Sequence, residues 1–190
     1  MSPRVKALIL DRDGTLIAHV PYLSDPAQVT LLPGVRAGLH AAAKAGIKLF
    51  LHSNQSGVGR GYFTLENVEA CNRRLIELID LGAAPFARIC IAPERPDEPS
   101  KYRKPSPLFA REIAVEFGIA LDELCYVGDR GSDLEAAERA GTQGVGVSTG
   151  LENLHEEIAA ADLARTYSIF ARFDAAIEYL LNGAEDAPMQ

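Results

Sequence analysis

The chain has 190 residues, 47% hydrophobic and 24% charged, which excludes a disordered chain and leaves enough length for one sizeable core. Its 26 acidic against 19 basic side chains set a formal net charge of -7, which disfavours a long nucleic-acid groove. No apolar run reaches a membrane span or a signal-peptide core, and three scattered cysteines form no disulfide framework, so a reducing, cytoplasmic home is expected.

Along the chain, short apolar runs alternate with stretches of helical periodicity. Residues 5–10 read as a buried strand and 34–45 as an Ala-rich helix closed by Gly46. A second strand is expected at 47–52, then a helix over 65–81 with Leu65, Val68, Leu75, Leu78 and Ile79 on one face and Gly82 ending it. Residues 88–92 read as a third strand and 93–107 as a Pro-rich loop. A helix at 108–117 stops at Gly118. A strand at 124–127, a helix at 132–140, a short strand at 144–147 and an amphipathic helix at 174–181 complete the reading, with a frayed tail over 182–190. Near-continuous apolar strands in βαβα order predict an α/β fold, a doubly wound parallel sheet, as one domain over 1–190.

In such sheets ligands gather beyond the carboxyl ends of the strands. Asp11-Arg12-Asp13-Gly14-Thr15 follows the first strand and Ser53-Asn54-Gln55-Ser56-Gly57 the second. The third leads to Arg103-Lys104-Pro105, and the fourth to Gly128-Asp129-Arg130-Gly131-Ser132-Asp133. Alone, the first segment would read as an Asx-type turn; four such endings on one rim point to a site. Asp11, Asp13, Asp129 and Asp133 would repel in a partly desolvated crevice unless a cation sat among them. Hard oxygen donors favour Mg²⁺. A cation beside Lys104 suits a phosphate.

This constellation resembles the haloacid dehalogenase superfamily of phosphotransferases, whose four motifs match in order at 10–16, Ser53, Lys104 and Gly128-Asp129 with Asp133. The resemblance implies a Rossmann-like core with Asp11 as the nucleophile that forms an aspartyl-phosphate. Asp13 would be the general acid and base. Ser53 and Lys104 would bind phosphoryl oxygens, and Asp129 would complete a Mg²⁺ site that takes in Asp11 and Asp13. Asp133 would stand in or just behind that site, or merely serve the start of its helix, where an acid is favourable in any case.

The intervals between motifs, 39 residues from Asp13 to Ser53 and 50 from Ser53 to Lys104, leave no room for a large cap domain, so loops 17–32 and 93–103 must gate the crevice. The stretch 53–64, with Tyr22, Leu32-Pro33-Gly34-Val35 and Arg103-Lys104-Pro105, is similar to D-glycero-D-manno-heptose 1,7-bisphosphate phosphatases and their histidinol-phosphate phosphatase relatives. By that resemblance the substrate is a small phosphorylated metabolite. Candidate contacts are Arg12, Gly14, His19, Tyr22, Asn54, Gln55, Ser56, Arg60 and Arg103. Gly57, Gly59 and Gly61 lack dinucleotide-fingerprint spacing and read as a flexible loop beside a phosphate.

That branch carries a zinc loop of cysteines and a histidine before Arg-Lys-Pro. Here the positions hold Ala92-Pro93-Glu94-Arg95-Pro96 and Ser100-Lys101-Tyr102, so zinc is not expected. Cys71, Cys90 and Cys125 read as core, His40 and His52 as structural, and His155 as part of an acidic helical stretch. Rival readings are a polynucleotide 3′-phosphatase and a non-enzymatic phospho-accepting module. The expected assembly is a monomer or small homo-oligomer without a membrane partner.

Overall fold

The computed structural model describes residues 5–150 and 153–182. Its elements are β1 (Ala7–Leu10), α1 (Val35–Lys44), β2 (Lys48–Asn54), α2 (Ser56–Gly59), α3 (Leu65–Ile79), β3 (Phe86–Ala92) and α4 (Leu108–Phe117), followed by β4 (Leu124–Gly128), α5 (Gly131–Ala140), β5 (Gln143–Val147), α6 (Leu154–Ala160), β6 (Ser168–Phe170) and α7 (Phe173–Asn182). The six strands pair in parallel, in the order β3-β2-β1-β4-β5-β6.

Strand β1 is buried on both faces. Because successive side chains point to opposite sides, Leu8 and Leu10 enter one core while Ala7 and Ile9 enter another. The first core takes Val35 and Leu39 of α1, Cys71, Leu75 and Ile79 of α3, and Phe173 and Ile177 of α7. Across the sheet, Phe109 and Ile113 of α4 and Ala136, Ala137 and Ala140 of α5 form the second, with Phe50 set edge-on to Phe109 and Phe117. Each fully buried large apolar side chain contributes about 1.5–3 kcal/mol. Helices on both faces establish the expected doubly wound sheet, and among the described residues no large cap interrupts it.

The differences from the sequence reading have local causes. Strand β2 runs two residues past His52, because Ser53 and Asn54 pair with Ile91 and Ala92 of β3. Helix α3 stops at Ile79 because Asp80 adopts a left-handed conformation (φ 60), a cap expected two residues later at Gly82. The one-turn helix α2 and the three-residue edge strand β6 were not anticipated; neither is long enough to show a period. The acidic stretch around His155 is α6, and 174–181 lies within α7. Apart from Asn182, the last residue of α7, the expected frayed tail lies outside the described residues.

The chain winds outward from β1 through β2 to β3, then returns to lay β4 against the other side of β1. That reversal places a crevice beyond the carboxyl ends of β1 and β4, where ligand sites of open α/β sheets form.

Candidate active site

Asp11 continues β1, its amide donating to the Val127 carbonyl (3.0 Å), while Asp129 leaves β4 directly beside it. Asp133 lies in the first turn of α5. The three carboxylates are buried, with one oxygen of each within 4.8 Å of the others, the only such group of potential ligand side chains among the described residues. Lys104 reaches in from the loop after β3; its Nζ stands 2.5 Å from Asp11 Oδ1 and 2.6 Å from Asp133 Oδ1.

One ammonium does not balance three buried carboxylates. Burial, opposed by Lys104 and reinforced by Asp133 and Asp13, pushes Asp11 up to about 6. Burial, with the charges of Asp11 and Asp133, pushes Asp129 up to about 8. Burial works against the Lys104 ammonium, but the two acids outweigh it and raise its pKa. A hard divalent cation would relieve this excess negative charge, and the donor set fits Mg²⁺. Asp129 Oδ1 accepts from Thr15 Oγ1 (2.8 Å), so Oδ2 is the oxygen that could face a cation. Asp133 is engaged twice, by Lys104 and by the Arg130 amide (3.1 Å).

The Asp13 side chain is placed differently from those of Asp11 and Asp129. Its carboxylate stands outside the group of three, gripped by Arg12 (Nε to Oδ2 3.0 Å, Nη2 to Oδ1 3.2 Å) and by Gln55 Nε2 (2.8 Å). Ser53 Oγ lies 3.5 Å from the same carboxylate and accepts from Gln55 Nε2 (2.7 Å). Ser53 is therefore buried next to Asp13.

Arg12 also differs from expectation. It is 0% exposed and donates its remaining Nη1 to Asn72 of α3 (2.9 Å), so it cannot meet substrate. Gly14 is likewise spent within the chain. Its amide donates to Ile17 (2.8 Å), its carbonyl accepts from Thr149 Oγ1 (2.6 Å), and at φ +87 its Cα lies so near Asp129 that a Cβ would fall 2.3 Å from Oδ2.

Of the other candidate contacts, His19, Tyr22, Asn54, Gln55, Ser56 and Arg103 line a cleft of about 450 Å³ together with Asp11, Asp13, Lys104 and Asp129. His19 Nδ1 is buried without a hydrogen-bond partner among the described residues, leaving it open to a ligand. Arg60 is exposed and outside the cleft wall. Residues 57–59 are helical rather than a loop, with Gly57 on the cleft wall, whereas Gly61 lies beyond the helix at φ +73 with open space around it. Gly57 and Gly59 sit in α2, where a Cβ on Gly57 would strike Phe63 (2.2 Å) and one on Gly59 the Pro93 carbonyl (2.8 Å). Close packing of α2 explains these glycines.

The wall also takes in Phe63, Arg130 and Ser132, which sequence reasoning did not single out. It equally missed Thr149 and Gly150, where a Cβ on Gly150 would lie 2.0 Å from Asp129 Oδ2. No motif marks them; they reach the site only through the end of β5. The loop after β3 is fastened by polar contacts: Arg95 to Asp97 (2.6 Å), Ser100 Oγ to Glu94 (2.8 Å) and the Arg103 amide to Ser100 Oγ (3.0 Å). Cys71, Cys90 and Cys125 are free and buried, and burial raises all three thiol pKa values, that of Cys90 to about 11.

A family model described as HAD-hydrolase-like matches residues 101–175. A D-glycero-beta-D-manno-heptose-1,7-bisphosphate 7-phosphatase of Pseudomonas putida is 39% identical over 151 residues, covering 77% of this chain and 84% of that protein. One of the same name from Mesorhizobium japonicum is 34% identical, over 73% and 67% of the two chains. Among solved structures, D,D-heptose 1,7-bisphosphate phosphatase from B. bronchiseptica, complexed with magnesium and phosphate, superposes with a TM-score of 0.84 at 29% identity, covering 94% of this chain and 99% of that one. With these relatives, and with acids and a lysine converging where the sheet reverses, the chain belongs to the haloacid dehalogenase-like phosphatases, in the branch of the heptose 1,7-bisphosphate phosphatases.

Proposed function

We propose that the chain is a Mg²⁺-dependent phosphatase that hydrolyses a phosphomonoester of a small sugar bisphosphate, of the D-glycero-D-manno-heptose 1,7-bisphosphate class, through an aspartyl-phosphate. The observation that carries this reading is the pairing of Lys104 with both Asp11 and Asp133 beside an Asp13 held separately by Arg12 and Gln55. The two acids of the first motif thus have different surroundings, as a nucleophile and a proton carrier require.

Asp11 and Asp129 would hold the metal, which when bound supplies positive charge that keeps Asp11 ionised and offsets charge on the transferring phosphoryl group. Asp11 attacks phosphorus in line, its carboxylate oxygen forming a bond as the ester oxygen leaves. Asp13 gives that oxygen a proton, then takes one from the water that hydrolyses the aspartyl-phosphate. Lys104 and Ser53 bind the phosphoryl oxygens. His19, Tyr22, Asn54, Gln55, Ser56 and Arg103 shape the cleft around the sugar. Polar loop contacts where the family places zinc ligands support a zinc-independent loop. Three unpaired buried thiols support a reducing, cytoplasmic setting; no described helix is long and apolar enough to cross a membrane.

A panel of phosphorylated sugars, histidinol phosphate, nucleotides and 3′-phosphorylated DNA, ranked by kcat/KM with Mg²⁺, tests the assignment. A heptose bisphosphate or related sugar phosphate should rank first. Fastest turnover of DNA ends, or stable phosphorylation without turnover, would replace it.

A further inference from the structure

We propose that His52 is a positioning residue for Lys104: its neutral ring, locked in one tautomer by Tyr126, holds the Tyr102 carbonyl and so fixes the backbone from which Lys104 reaches the acids. The proposal rests on the reading of Lys104 as a phosphoryl-binding group.

His52 is 0% exposed and does not line the cleft, so it touches neither solvent nor substrate. It lies against the Phe109 ring (centroids 4.9 Å), where a polar ring is costly unless both nitrogens are satisfied. Both are: Nε2 stands 2.8 Å from the Tyr102 carbonyl and Nδ1 3.1 Å from the Tyr126 hydroxyl.

A carbonyl can only accept, so Nε2 must carry the hydrogen. In a neutral ring Nδ1 is then the acceptor, and the buried Tyr126 hydroxyl donates to it. Burial, and then the nearby Lys104 charge, lower the His52 pKa to about 3, which keeps the ring neutral. A protonated ring would have a hydrogen on each nitrogen and no acceptor for Tyr126.

Asn54 lies two residues along β2, on the same face. Its Oδ1 accepts from the Lys104 amide (2.9 Å) and its Nδ2 donates to the Lys104 carbonyl (3.2 Å). Alternate residues of one rigid strand thus make three hydrogen bonds to the 102–104 backbone, on either side of Ser53. A simple core role would require only shape and apolarity; it would not require a donor aimed at a loop carbonyl two residues from a functional lysine. Small displacements matter here, since misplacing a catalytic constellation by 1 Å can cost about 10²-fold.

Three measurements on the full chain test the clamp: the ¹⁵N shifts of the His52 ring, exchange of the Lys104 amide, and binding of inorganic phosphate with Mg²⁺ by calorimetry. The wild-type ring should show a protonated Nε2 and an unprotonated Nδ1. His52→Leu should speed Lys104 amide exchange and weaken phosphate binding, each by about fivefold, the worth of one hydrogen bond. His52→Gln, whose amide can still donate to Tyr102, should recover most of both.

A protonated Nδ1, an unchanged His52→Leu protein, or a His52→Gln variant no better than Leu overturns the clamp. If wild-type protein binds no phosphate, the functional reading of Lys104 fails, while ring shifts and exchange still decide whether the clamp exists. If His52→Leu does not fold, Tyr126→Phe replaces it. Loss of the single tautomer with faster Lys104 exchange supports the proposal, and no change in either sinks it.

Discussion

At the scale of single residues, neighbouring acids have separate environments. Asp11 shares a buried cluster with two acids and one lysine, whereas Asp13 is held by a guanidinium and an amide. Asp11→Asn should abolish turnover with the fold intact, because an amide cannot act as the nucleophile; activity above background in freshly purified protein would contradict this. For Asp13→Asn we expect kcat to fall by about 10²-fold or more, the usual worth of acid–base help, and an unchanged kcat would remove it from proton transfer. Arg12 has no route to substrate, so its replacement should act first on stability. Arg12→Met leaves Asn72 and part of Asp13 without a donor and should cost about 2–3 kcal/mol in urea unfolding, close to the loss of a charged hydrogen bond. A variant as stable as wild type would show that the pair contributes nothing.

At the scale of elements, helix ends illustrate what local sequence can state. Thr64 accepts from the Asn67 amide (3.3 Å) while its own amide donates to Asn67 Oδ1 (2.9 Å), a reciprocal cap for α3. Thr64→Ala should lower stability by about 1 kcal/mol without altering activity, as denaturant titration and a single assay would show. The turn after β5 behaves differently, because its importance lies in what it touches. Gly150→Ala would press a methyl group on Asp129, so the thermal stabilisation by Mg²⁺ should shrink relative to wild type; an equal shift would mean that the turn yields freely. Long periodic elements such as α3 and α4 were legible to within a few residues, and α4 at both ends. Elements too short to show a period, α2 and β6, were not.

For the whole molecule, the buried acids oppose folding as they ionise. Asp129 titrates at about 8 in the folded chain, far above its ordinary 3.8, so the folded state holds a proton that the unfolded state has lost. Stability therefore falls as pH rises through that window. His52 acts in the opposite sense, but only between its ordinary 6.5 and its lowered value near 3. From pH 6.5 to 8.5 the acids dominate. In chelator, the melting temperature should decline across that range, and Mg²⁺ should raise it more at pH 8 than at pH 6.5; a flat profile with equal metal shifts would contradict the account.

The order of apolar strands and helices, with polar residues ending each strand, determined the α/β class and most of the residues at the reacting rim. These features depend on near neighbours in the chain, where a period or a motif can be read directly. Which carboxylate joins the cluster and which is taken by Arg12, why Gly14 is consumed by Asp129 and Thr149, and that His52 faces Tyr102 were decided only by the tertiary structure. Such partners lie far apart in sequence, and only the reversal of the sheet between β1 and β4, with the loop after β3 folded over it, brings their atoms within hydrogen-bonding range.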